Sequence, residues 1–206
     1  MRRITRGPAI VMCAALLGCG TKERDSGGFV PPPVPPPVTS VQCSDTPPAV
    51  DQVVMRCGVR ISPSVWQIDV VVGYDTTSTD IGGFAFDILI DPTALTYIPG
   101  SAQSGSMLFQ GGTSSPLLTA QIAPGDPGRL VVGIYRTGDA AGVQGKAPPY
   151  DRIMVFEVRA VDGAQFDPDP PRLRFDKTRS EALDSSSPAQ AIPSITFSDQ
   201  ILLSRQ

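Results

Sequence analysis

An alternation with a period of two residues is the feature that most constrains how this chain folds. In residues 65–72 the even positions are all large and apolar, and Gln67 and Asp69 lie between them. Residues 84–90 repeat the alternation. Because successive side chains of a β-strand point to opposite faces, both segments are predicted to be half-buried strands, with Trp66 facing inward. No long segment has the 3.6-residue apolar period of a helix, so the sequence predicts an all-β domain.

Sequences typical of turns separate further apolar runs. Proline, aspartate and glycine cluster at residues 91–92, 124–128 and 167–171. The strands predicted between the turns are residues 53–61, 65–72, 84–90, 95–98, 117–122, 130–135, 153–161, 173–175 and 195–203. About nine short strands predict one β-sandwich domain over residues 50–206, which is long enough to bury a core.

The first residues of the chain have the order of a secretory signal. Three arginines in the first six residues precede an apolar stretch (residues 9–17) that is too short to span a bilayer, and Gly18-Cys19 follows. This ending resembles the lipobox of bacterial lipoproteins. Residues 1–18 are therefore predicted to be a signal peptide and Cys19 the lipid-bearing N-terminus, with an ordinary signal peptide as the alternative. The anchor implies a place in the bacterial cell envelope, and Gly20 after Cys19 favours the outer membrane by analogy.

Residues 19–49 are predicted to be a linker between the lipid and the domain. Residues 30–38 read VPPPVPPPV, and such a run adopts the stiff polyproline II conformation. At about 3.1 Å per residue it spans roughly 28 Å. A spacer is the favoured interpretation, and a docking peptide for an aromatic groove is the alternative.

Two cysteines remain after the signal peptide and the lipid-bearing residue are set aside. Cys43 and Cys57 would lie in an oxidising compartment, where two free thiols most simply pair. A disulfide that closes a loop of about 14 residues stabilises the folded state by about 3 kcal/mol. A redox or metal-binding pair is the alternative, but the chain has neither a Cys-x-x-Cys motif nor histidine.

Charge and residue usage exclude several function classes. Without the three arginines of residues 1–18, 14 basic residues face 20 acidic ones, so we expect no nucleic acid partner. The absence of histidine removes the usual general base and metal ligand. No Gly-x-Ser-x-Gly motif is present, and a carboxylate pair such as Asp87 and Glu157 is the remaining catalytic alternative. The sequence therefore predicts no enzyme activity and no cofactor.

Calcium is the remaining candidate ligand of the acidic side chains. Asp75, Asp80, Asp167 and Asp169 supply hard oxygen ligands, but nothing matches a twelve-residue EF-hand loop. Incidental surface acids are the favoured interpretation, so no metal site is predicted.

Residues 83–95 read GFAFDILIDPTAL, and Gly100 follows. This segment resembles the cohesin signature, in which a core strand runs into an Asp-Pro corner, then a leucine, and soon a glycine. In the corner, Asp91 can cap the turn, Pro92 presets the next φ, and Leu95 can close the end of the sandwich. Residues 128–134, the glycine-rich loop at 138–145, and the strands at 152–158 and 195–203 follow in the family's order. The resemblance covers about residues 50–206.

The resemblance implies a nine-stranded jelly-roll β-sandwich and a non-catalytic function in protein recognition. Cohesins bind dockerins, small calcium-loaded helical modules, on one exposed sheet, so any calcium is expected on the partner. Gly83 and Ala85 match positions that are polar in the best-known cohesin type. The outward face offers Asp87, Leu89 and Thr137 instead as partner-binding candidates, and an ordinary solvated sheet face is the alternative for each.

Two other partners are compatible with this architecture. A carbohydrate-binding module has the same jelly roll and holds polysaccharide with a row of exposed aromatic residues. Here Trp66 is assigned to the core, and Tyr74, Tyr97, Tyr135 and Tyr150 are scattered along the sequence. A cell-envelope protein unrelated to dockerins is the other possible partner.

Overall fold

The computed structural model describes residues 40–110, 115–138, 141–166 and 171–205. The predicted signal peptide, Cys19, the proline-rich run, Asp167 and Asp169 lie outside these residues. The described strands, in chain order, are β1 (Val41–Asp45), β2 (Gln52–Ser62), β3 (Val65–Gly73), β4 (Ile81–Ile90), β5 (Leu95–Tyr97), β6 (Gln103–Ser104), β7 (Leu117–Ala123), β8 (Asp126–Tyr135), β9 (Tyr150–Ala160), β10 (Leu173–Asp184), β11 (Thr196–Ser198) and β12 (Ile201–Arg205). A 3-10 turn, η1 (Met107–Phe109), follows β6.

Ten of the described strands form a sandwich of two sheets, and β1 pairs with β12 in a separate two-stranded sheet. One sheet has the order β10-β4-β8-β7, and the other has the order β11-β2-β3-β9-β5 with β6 paired to β9. The ladders are antiparallel except for that between β11 and β2. In the part of the chain described, no helix is long and apolar enough to cross a membrane.

The core lies between the two sheets and contains the apolar positions of the predicted alternation. Ile68, Val70 and Val72 of β3 are fully buried, as are Phe84 and Phe86 of β4. Aromatic rings join the sheets: Phe86 lies 5.8 Å from Phe197 of β11, and Phe175 of β10 lies 5.1 Å from the same ring. Such aromatic pairs stabilise the core beyond the free energy gained by burying their apolar surface.

Trp66 packs against the core at one end of the sandwich but stays partly exposed. Its indole Nε1 donates a hydrogen bond to the carbonyl oxygen of Val41, 3.0 Å away. The indole therefore faces inward as predicted, and its polar atom lies at the margin, where β1 supplies an acceptor.

The sandwich begins earlier than the expected residue 50. Residues 41–45 form β1, which pairs along its length with β12, from Val41 opposite Arg205 to Asp45 opposite Ile201. The predicted last strand is two strands, β11 and β12, separated by Asp199 and Gln200. β1 has only five residues, and its partner lies near the other end of the chain, so its own sequence gives little indication that it is a strand.

The predicted disulfide between Cys43 and Cys57 is confirmed. It joins β1 to β2, with a Cα–Cα distance of 5.9 Å. Beside it, the carboxylate of Asp45 accepts hydrogen bonds from the backbone N–H of Cys57 and from Arg56 Nη2, at 2.7 and 2.8 Å. β1 is thus attached to β2 covalently and by charge-assisted hydrogen bonds.

Candidate functional site

The outer face of the sheet β10-β4-β8-β7 has a floor of very small residues. Gly83 and Ala85 lie on β4, and Ala85 pairs with Gly133 of β8. A Cβ atom on Gly133 would meet no atom within 4 Å, so open space lies above this position. A Cβ atom on Gly83 would lie 2.7 Å from the backbone oxygen of Ile134. Gly83 is therefore required by the close approach of two strands, whereas Gly133 leaves a hollow.

A groove of about 460 Å³ occupies this hollow. Tyr135, which pairs with Gly83 across the ladder, is 47% exposed at its margin. The opposite wall comes from the end of β10 and the loop after it, which contribute Leu183, Asp184, Ser185, Ser186, Ser187 and Ala189. A mostly apolar floor with polar margins is the usual composition of a protein–protein contact surface.

Arg136 lies at one end of the groove and also lines a second pocket of about 390 Å³. Its Nη1 donates a hydrogen bond to the carbonyl oxygen of Gln110 at 2.6 Å, whereas its buried Nε has no hydrogen-bond partner among the described residues. Lys146 lines the same second pocket. This end of the face therefore has a positive charge.

The Ser185–Ala189 wall is held by two aspartates. Asp184 Oδ1 accepts hydrogen bonds from Ser186 and Gln190, which lower the pKa of this carboxyl, the Ser186 hydroxyl contributing most. Asp80 Oδ1 accepts from the hydroxyl of Ser185 at 2.5 Å and from the backbone N–H of Gly142 at 3.1 Å. Local bonds of this kind fix the shape of a loop that has little apolar burial.

The other end of the face is a cluster of charged side chains around Asp87. Its Oδ2 lies 3.5 Å from Arg129 Nη1 and 4.0 Å from Arg179 Nη1. Arg129 also approaches Asp126 at 3.5 Å, and Arg179 approaches Asp176 at 3.7 Å. Asp87 is only 6% exposed as a result. The sequence predicted it as a partner-binding candidate on the outward face. It lies on that face but is buried there, because long arginine side chains from both neighbouring strands extend over it.

A bulge in β10 brings one of these arginines into position. The register with β4 shifts between Asp176 and Glu181. Asp176 Oδ1 accepts hydrogen bonds from the hydroxyl of Thr178 at 2.7 Å and from its backbone N–H at 3.1 Å, which lowers the pKa of Asp176. Lys177 and Arg179 are exposed as a consequence. Bulges re-aim side chains in this way.

Leu89 and Thr137 are partly exposed, at opposite ends of the face. Leu89 lines a pocket of about 410 Å³ beside Pro92 and Arg174. Thr137 lies two residues beyond the end of β8, and its hydroxyl donates to the carbonyl oxygen of Ser115 at 3.4 Å. At about 3.3 Å per strand residue, roughly 25 Å of sheet separates the two. The three sequence-predicted residues therefore share one face but do not converge on one point.

The Asp-Pro corner has the construction that the sequence predicts. Asp91 Oδ1 accepts hydrogen bonds from the hydroxyl of Thr93 at 2.6 Å and from its backbone N–H at 2.9 Å. These bonds, aided by an ion pair with Arg172, lower the pKa of Asp91. Leu95 is 2% exposed, closing this end of the sandwich.

Asp87 and Glu157 lie on different sheets and do not form a carboxylate pair. Asp87 lies on the outer face of one sheet, whereas Glu157 belongs to β9 of the other sheet and pairs with Gln67. Burial raises the pKa of Asp69, which is 5% exposed and lies on β3 with Arg152 Nη2 2.9 Å from its Oδ2. Within the described ranges, no three acidic or cysteine side chains are grouped as a metal site would require.

Exposed tyrosines are few and lie apart in the fold. Tyr135 ends β8, Tyr74 follows β3 of the other sheet, and Tyr97 is buried. Tyr150 is covered by Arg56, whose guanidinium carbon lies 4.7 Å from the ring centre. The row of aromatic side chains that a flat polysaccharide surface requires is not formed by the tyrosines of the described residues.

Comparison with known proteins identifies the fold. No family model matches the sequence, and no curated protein does. A type II cohesin domain from the cellulosome of Acetivibrio cellulolyticus superposes with a TM-score of 0.50 at 12% identity, over 82% of this chain and 95% of that one. Type II cohesin A11 from Bacteroides cellulosolvens gives 0.51 at 10% identity, over 74% and 98%. The fold is a cohesin-type jelly roll. A chain of the CaDoc0917–CaCohA2 complex gives 0.51 at 11% identity, over 75% and 97%.

The groove was not predicted from the sequence, although a signal for it is present. Gly82-Gly83 and Ala85 occur inside a strand, and Gly133 lies in the middle of another. Glycine weakens a strand interior, so its presence there marks a close approach or a space for a ligand. Only the register between β4 and β8 shows that Ala85 and Gly133 lie side by side.

Proposed function

We propose that this chain is a non-catalytic protein-recognition module that binds its partner on the outer face of the sheet β10-β4-β8-β7. The observation that carries the proposal is the groove over Gly133, with exposed Tyr135 at its margin and the Asp87–Arg129 cluster farther along the same face. An apolar hollow suits an anchoring side chain of the partner, and the surrounding charges set its orientation.

The partner is proposed to be a dockerin-like protein module or another protein of the envelope. The cohesin-type fold supports this class of partner, as does the similarity to a chain solved in the CaDoc0917–CaCohA2 complex. Gly83 and Ala85 give this face a small-residue floor where the best-known cohesins have polar groups. The partner should therefore present a protruding apolar side chain rather than a polar one at this point.

The proposed module is held at the membrane through Cys19 and lifted from it by residues 30–38. The lipobox-like ending at Gly18-Cys19 and the length of the proline run support this part of the proposal. A tether that holds a binding face near the membrane raises its effective concentration without adding contact energy. We propose the outer membrane of the bacterial envelope as the location.

The test is a pull-down from a detergent-solubilised envelope fraction of the source organism, with the full-length chain as bait. Gly133→Leu fills the groove from a position where a Cβ atom meets nothing, and Thr96→Leu adds the same side chain at an exposed position of β5. We expect one protein to be retained by the unsubstituted chain and by Thr96→Leu, and lost with Gly133→Leu.

Calcium and a chelator distinguish the partners. If the partner protein is retained with calcium and lost when calcium is chelated, a dockerin-like module is supported. If it is retained equally with calcium and with the chelator, another envelope protein is supported. If no protein is retained and the chain instead adheres to insoluble polysaccharide, the proposal is wrong and a carbohydrate-binding module replaces it.

A further inference from the structure

β7 is the terminal strand of the four-stranded sheet. It pairs with β8 on one side, from Leu117 opposite Tyr135 to Ile122 opposite Leu130. On its other side the described residues form no ladder, since β6 pairs with β9 of the other sheet. A strand in this position presents unpaired backbone N–H and C=O groups, which form a template for another strand.

The other edges of the two larger sheets are protected against such pairing. β5 and β11 have three residues each. β10 has a bulge and carries the exposed charges of Lys177 and Arg179. By contrast, the seven residues of β7 read LLTAQIA, with no charge, proline or glycine. Among the described edge strands of the two larger sheets, β7 is therefore the long one that lacks the usual safeguards.

Apolar surface also remains open along this edge. Leu118, Ala120 and Ile122 point toward the core but are only partly buried. Their partners on β8, which are Ile134, Val132 and Leu130, are 0–2% exposed. On the outer face, Leu117 is 48% exposed. A strand placed beside β7 would therefore remove apolar area from water as well as satisfy backbone groups.

The sequence of β7 is complementary to itself in the antiparallel direction. When two copies are centred on Ala120, Leu118 lies opposite Ile122, Thr119 opposite Gln121, and Leu117 opposite Ala123. Every pair then joins apolar to apolar or polar to polar, and no like charges meet. This register uses all seven residues and has the two-fold symmetry of an isologous dimer.

We infer that the β7 edge is a homodimerisation surface on which two copies of this chain pair β7 with β7, antiparallel and centred on Ala120. The two four-stranded sheets then continue into one sheet of eight strands. Each copy contributes its outer face to the same side of this sheet, so two grooves are presented together. The dimer forms through β7 and not through the groove, so the inference is independent of the proposed function.

Sedimentation of the full-length chain over a wide concentration range in detergent tests the inference. Thr119→Lys adds a charge at an exposed outward position of β7, where the lysines of two copies become diagonal neighbours. Thr96→Lys makes the same change at an exposed position of β5. We expect a monomer–dimer equilibrium whose dissociation constant rises at least several-fold with Thr119→Lys and stays unchanged with Thr96→Lys.

Cysteine cross-linking tests the register. Ala120 lies opposite itself in the inferred dimer, at a Cα–Cα distance of roughly 4.5–5.5 Å, which suits a disulfide. Under mild oxidation, Ala120→Cys should give covalent dimers that neither Thr96→Cys nor the unsubstituted chain, with the same other cysteines, forms. A chain that stays monomeric throughout, a dimer unaffected by Thr119→Lys, or equal cross-linking at both positions would overturn the inference. The inference would also be wrong if the chain stayed monomeric and its β7 edge bound only an added strand peptide of another sequence.

Discussion

Asp87 and Arg129 face each other on neighbouring strands of the outer face, with 3.5 Å between Oδ2 and Nη1. Arg179 approaches the same carboxylate oxygen from β10, at 4.0 Å. A buried carboxylate is tolerated when cations compensate for its lost hydration. Asp87 therefore links three strands across this face, and the charges that a partner would meet first are those of the arginines.

Replacement of Asp87 should show that this carboxylate is a structural group. Asp87→Ala removes the shared acceptor and leaves two guanidinium groups close together, so we expect the free energy of unfolding to fall by about 1–3 kcal/mol. Asp87→Leu should cost less than Asp87→Ala, because it restores apolar volume over the face. Urea denaturation measures both, and equal stability of Asp87→Ala and the unsubstituted chain would contradict the structural role.

The disulfide between Cys43 and Cys57 should contribute substantially to stability. It closes a loop with a sequence separation of 14 residues and attaches β1 to β2. We expect the double substitution Cys43→Ser with Cys57→Ser to lower the free energy of unfolding by about 3 kcal/mol. The unsubstituted chain under a reducing agent serves as the matched comparison and should lose a similar amount. A loss within the error of denaturant titration would show that the ladder between β1 and β12 suffices to hold the segment.

The local sequence pattern predicted the sandwich. The place of β1, the burial of Asp87 and the groove depend on pairing between distant strands, which the local pattern does not show. The alternation around Ile68 and Phe86 identified strands because burial on one face leaves a period of two in the sequence. β1 was assigned to the linker, since its partner β12 lies at the far end of the chain. Asp87 was predicted as a partner-binding candidate because the alternation within β4 indicates only which face a side chain is on. Arg129 and Arg179, which bury it, come from other strands. The groove depends likewise on register.

Acid should weaken the fold partly through the Asp91 corner. Hydrogen bonds from Thr93, followed by the ion pair with Arg172, hold the pKa of Asp91 below its ordinary value of 3.8. The stabilisation is therefore complete above the pKa of the unfolded chain and is lost as the pH falls through the lower folded-state pKa. We expect stability to decline below roughly pH 5, and to decline less steeply in Asp91→Asn, which retains the turn geometry. Parallel pH profiles of the two proteins would refute this role.

Two glycines of the groove floor should respond in opposite directions to the same substitution. Gly83→Ala places a Cβ atom 2.7 Å from the backbone oxygen of Ile134 and 2.8 Å from Cβ of Tyr135. Because backbone must move to relieve this overlap, we expect a loss of about 1–3 kcal/mol. Gly133→Ala enters open space and restricts the unfolded chain, so it should be neutral or stabilise by up to about 1 kcal/mol. Thermal and urea unfolding of both variants give the comparison. A destabilised Gly133→Ala would show that the hollow above β8 is not open in solution, and the site proposed for the partner would have to lie elsewhere on the face.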